Sequence, residues 1–113
     1  MADVAFMDVW QNIKAAGINK DLETFDKWVS YLDINYQMDN ILKYLTLLGY
    51  YVFAFNNKER SKICLKRLKE ELEENYTIES KEFDLKSKFN DRICNALIEL
   101  GLKKELDEVL SIL

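Results

Sequence analysis

The sequence predicts an all-α protein, a single compact domain over residues 1–113, with five or six helices and a central apolar helix at about residues 36–55. Three observations predict it. Apolar residues recur at three- and four-residue spacing in six successive stripes. One short run alone, Tyr50-Tyr51-Val52-Phe53-Ala54-Phe55, has the composition of a strand, and no second run exists to pair with it. The 113 residues, 49% apolar and 12% aromatic, are enough for a core that needs neither metal nor disulfide. A domain of this length has a radius of gyration of roughly 13 Å.

The first stripe holds Phe6, Val9, Trp10, Ile13 and Ala16, with Asp3 as N-cap and Gly17 placed to end the helix. Asn19 or Asp21 caps the second, in which Leu22, Phe25, Val29 and Leu32 share a face up to about Asp33. The third runs through Met38, Ile41, Leu45, Leu48, Val52 and Phe55, giving a helix from about Tyr36 to Phe55 that would be roughly 30 Å long. Leu42, Leu47, Tyr51 and Phe53 widen its apolar arc well beyond the ~100° a surface helix needs, so other helices should flank it on at least two sides. Gly49 is where this helix would loosen or kink.

Asn56 and Glu59 have the spacing of a capping box, and the stripe Cys64, Leu65, Leu68 and Leu72 follows. Thr77 or Ser80 restarts the chain for a fifth stripe through Leu85, Phe89, Ile93, Leu97 and Leu100, which Gly101 should close as a Schellman stop. The last stripe is Leu102, Leu106, Val109, Leu110 and Leu113.

Composition removes several functions. There is no histidine, so triads of the Ser/His/Asp or Cys/His kind and di-iron sites built on Glu-x-x-His lack their central group. Cys64 and Cys94 stand thirty residues apart without other metal-ligating residues beside them, which argues for two reduced thiols and against a zinc site or disulfide framework. Asp33-x-Asn35-x-Gln37-x-Asp39 begins like a calcium loop, but Met38 occupies the glycine position and Tyr44 that of the bidentate acid. The three glycines match no phosphate-binding loop. Glu70, Glu71, Glu73 and Glu74 point to different sides of a solvated helix end, with no apolar pocket to raise an acid's pKa. The expectation is a non-enzymatic protein without cofactor or metal.

Twenty acidic residues against sixteen basic ones give a net charge of −4 and argue against wholesale nucleic-acid binding. The segment Met1–Ala5 has no basic n-region, and the longest uncharged run, Tyr44 to Phe55, is twelve residues where a membrane span needs about twenty. A cytoplasmic location follows as the expectation. A helix-turn-helix across Gly17 would give its second helix three acids, Asp21, Glu23 and Asp26, where base edges want Arg, Lys, Asn or Gln.

Two surfaces remain. Lys58, Lys62, Lys66 and Lys69 gather on one helical face, which would suit phosphates or an acidic partner, or would simply be solvated and paired with acids one turn on, as in Lys69 with Glu73. The aromatic surplus is the stronger signal. The third helix carries Asp39, Lys43, Thr46 and Tyr50 on the arc opposite its core stripe, with Phe53 at the border, and Trp28 and Tyr31 lie off the stripe of the second. Large aromatics beyond the needs of one core stripe are interface material. The leading expectation is therefore a small regulatory, adaptor or inhibitor-like module that binds a protein partner, or itself, through Trp28, Tyr31, Tyr50 and Phe53. A nucleic-acid accessory protein using Lys58–Lys69 is the alternative, and a carrier of a small apolar ligand with a pocket near Gly49 comes third.

Overall fold

A computed structural model describes residues 4–37, 40–75 and 85–113. The fold is all-α: among the described residues there are seven α-helices, one π-helical segment and no strand. The caps expected at Asp3, Thr77 and Ser80, the stripe residue Met38 and the outer-arc residue Asp39 lie outside the described residues. The chain divides into two compact units, Met1–Met38 and Asp39–Leu113.

The first unit is a helical hairpin of α1 (Phe6–Ile18) and α2 (Leu22–Asn35). Val9, Ile13 and Ala16 of α1 and Phe25 and Leu32 of α2 are buried, as the stripes require, and the two helices pack against each other. The segment before α1 is tied to α2 through one residue: Val4 donates its amide to the Tyr31 hydroxyl at 3.0 Å, and its carbonyl accepts from the Tyr36 hydroxyl. Tyr36 also packs edge-to-face on Phe6, 5.4 Å between ring centres. Tyr36 does not open the third helix as its position suggested; its backbone is extended and ends the second.

Gly17 does not end α1. It is buried inside the helix, and the left-handed residue is Lys20, at φ 54°. The Lys20 amide donates to Gly17 O and the Asp21 amide to Ala16 O, a Schellman closure with lysine in the seat glycine favours. Asp21 then caps α2, its carboxylate accepting from the Thr24 hydroxyl at 2.7 Å and the Thr24 amide at 3.2 Å. These bonds, the hydroxyl's first, hold the Asp21 carboxyl below its ordinary pKa. Because a left-handed conformation costs an L-residue about 1–2 kcal/mol that glycine escapes, Lys20→Gly is expected to stabilise the protein by about 1 kcal/mol. A higher denaturant midpoint at unchanged slope would show it; a lower one would contradict it.

In the second unit α3 (Asn40–Gly49) runs into a π-helical segment, Tyr50–Ala54. The strand-like run is therefore helix, but not α-helix: the Phe55 amide reaches back five residues to Tyr50 O at 3.0 Å. Aromatic and β-branched side chains crowd an α-turn, and the wider π-turn brings the adjacent Tyr51 and Val52 both into the core. Asn56, at φ 46°, closes it by letting the Asn57 amide donate to Tyr51 O at 2.9 Å. The expected helix over 36–55 is thus shorter, because Tyr36 and Gln37 are not helical, and it changes pitch after Gly49.

Asn57, not Asn56, caps α4 (Lys58–Asn75), accepting from the Arg60 amide at 2.9 Å, so Glu59 falls out of the capping-box position. Cys64, Leu65, Leu68 and Leu72 are all buried, and α4 packs against α3, the π segment and α7. The third stripe is flanked on two sides, by α4 along its length and by the helix Asp91–Glu99 at the π segment. The fifth stripe is broken in two, α5 (Leu85–Lys88) and α6 (Asp91–Glu99), because the Asn90 side chain accepts from the Ile93 amide and starts a new helix. Gly101, at φ 81°, makes the Schellman stop expected of it, with Leu102 donating to Leu97 O and Gly101 to Ile98 O. The chain then forms α7 (Lys103–Leu110), whose Leu106 and Val109 are buried, as is Leu102 just before it.

Ser61 is fully buried in α4, and its hydroxyl finds no hydrogen-bond partner among the described residues. An unpaired buried hydroxyl costs about 1–3 kcal/mol, and alanine is the better helix former. Ser61→Ala is expected to raise stability by about 1 kcal/mol. Calorimetry checks this, and a lowered melting temperature would mean that the hydroxyl is bonded.

Candidate functional site

The four aromatics proposed from sequence fall into two pairs, one in each unit. Trp28 and Tyr31 pack edge-to-face on each other in α2, 5.6 Å apart, and both are half-buried. Because the Tyr31 hydroxyl accepts from Val4, this side chain already holds the first unit together.

Tyr50 and Phe53 come together in the second unit. With Thr46, Gly49 and Ala54 they line a shallow groove of about 410 Å³ along α3 and the π segment. Its chemistry is apolar and uncharged. Phe53 is 43% exposed, with the Arg92 guanidinium of α6 stacked 4.5 Å from its ring centre. Tyr50 is half-buried and is not the fully outward residue that the helical wheel gives. A Cβ on Gly49 would meet no atom within 4 Å, so the groove floor is open there.

Leu42, also 43% exposed, extends this face by one turn, and the Thr46 hydroxyl folds back to donate to Leu42 O at 2.9 Å. On the helical wheel Leu42 belongs with Leu47, Tyr51 and Phe53 to the residues that widen the apolar arc. The spacing Leu42, Thr46, Gly49, Phe53 was the available signal for a single outward stripe. Lys43 departs in the opposite direction: expected on the outer arc, it is buried, its ammonium 4.8 Å from the centre of the Tyr44 ring. Alkyl stem and cation both suit such a place.

Of the lysine face, Lys58, Lys62 and Lys66 are exposed, while Lys69 is held by Glu73 at 3.7 Å and by Glu108 of α7 at 3.5 Å. Lys62, Lys66, Lys69 and Lys104 line a cleft of about 480 Å³ over Leu65 between α4 and α7, but so do Glu70, Glu73, Glu105 and Glu108. Four carboxylates face four ammonium groups, which leaves no net positive field for a phosphate chain to follow. Lys58 does not line this cleft; its ammonium lies near Gly101 instead.

Both cysteines are free thiols. Cys64 is buried and its thiol donates to Tyr44 O at 3.1 Å, while Cys94 is half-buried and donates to Phe89 O at 3.4 Å. Burial, and secondly the Asp91 carboxylate, push the Cys94 thiol above its ordinary pKa. Among the described residues no group of His, Cys, Asp and Glu could hold a metal ion, and no helix is long and apolar enough to cross a membrane. No protein-family model matches the chain, and neither does any curated protein or solved structure.

Proposed function

We propose that this chain is a small non-enzymatic protein-interaction module that docks a protein partner, or a second copy of itself, on the groove formed by Thr46, Gly49, Tyr50, Phe53 and Ala54, with Leu42 at its edge. The observation that carries the reading is a phenylalanine 43% exposed beside an open glycine in an uncharged groove. Large aromatics in such a setting supply much of the binding energy at protein interfaces. A π turn at the same place fits, since such turns are frequent at functional sites. The want of a histidine supports a role without catalysis. Trp28 and Tyr31 are read as internal packing of the first unit.

Phe53→Ala is expected to weaken binding or self-association by about 2 kcal/mol or more, some thirtyfold in affinity. Its effect on folding should stay near 1 kcal/mol, because much of the ring is in water and its stacking on Arg92 is worth only about 0.5–1 kcal/mol. Tyr50→Ala should weaken binding in the same direction. Sedimentation velocity and capture of partners from a lysate of the native host, run beside thermal melts, separate these effects. If both variants sediment and capture like the parent, the groove is not the docking surface.

A further inference from the structure

We draw no further inference here: the strongest candidate, the exposed apolar face of α3 and the π turn in the second unit, from Leu42 to Phe53, belongs to the groove already proposed, and nothing in the structure shows what covers it.

Discussion

Phe25→Ala is expected to destabilise the first unit by about 3–5 kcal/mol, the usual cost of emptying a buried phenylalanine site. Phe25 is fully buried, and the other buried apolar side chains among the described residues of this unit are Val9, Ile13, Ala16 and Leu32. A hairpin of two helices offers little with which to close the cavity. Below about 40 residues a unit is marginal on its own core, so a loss of this size should be felt as unfolding of α1 and α2. The readout is local, because both tryptophans, Trp10 and Trp28, belong to this unit. Tryptophan fluorescence against denaturant should show a much earlier transition for the variant. Leu68→Ala, at a fully buried position of α4, is the counterpart for the second unit, with an expected cost of about 2–5 kcal/mol read by far-UV circular dichroism. A Phe25→Ala midpoint close to the parent's would mean that this core is not what holds the hairpin.

Most of the core was legible because burial follows helical period closely. Val9, Ile13, Phe25, Leu32, Leu65, Leu68, Leu97, Leu106 and Val109 all stand on the expected stripes and are all almost fully buried. Period reports which face is buried, however, and says little about pitch. A π segment inserted after Gly49 keeps Val52 inside while turning Phe53 outward, and nothing in the spacing distinguishes it from continuous α-helix. Glycine was a good stop signal at Gly101, where the backbone has positive φ, and a false one at Gly17, where the left-handed turn falls three residues later on Lys20. Caps were misplaced where two adjacent residues could serve, as with Asn56 and Asn57, since the cap depends on which of them turns left-handed. Asn90 sits within an apolar stripe, and period alone gave no reason to break the helix there. At the candidate site, the pairing of Tyr50 with Phe53 was readable from the helical wheel. For Leu42 the spacing with Thr46, Gly49 and Phe53 carried the signal and residue type pointed the wrong way, while for the burial of Lys43 residue type and wheel position both pointed the wrong way.

Between pH 9 and pH 12 the protein is expected to lose about 4 kcal/mol of stability through a single thiol. Cys64 lies on the buried stripe of α4, 3% exposed, and burial pushes its thiol from the ordinary 9.0 up to about 12, with the positive charge of Lys43 pulling more weakly the other way. Below pH 9 the thiol is protonated in folded and unfolded chains alike and contributes no pH dependence. Above pH 9 the unfolded chain releases its proton while the folded chain keeps it, so the unfolded state binds fewer protons and stability falls, by about 1.4 kcal/mol per pH unit. The fall ends near pH 12, where the folded thiol ionises as well. Comparison with Cys64→Ser isolates the contribution of the thiol. Serine keeps a donor for the Tyr44 carbonyl and has no proton to release in this window. Unfolding free energies of the parent and of Cys64→Ser, measured by denaturant at pH 8, 9, 10 and 11, should converge or cross as pH rises, the parent losing the larger amount. A difference between them that stays flat across that range would show that the Cys64 thiol is open to water, and would remove it from the core of α4.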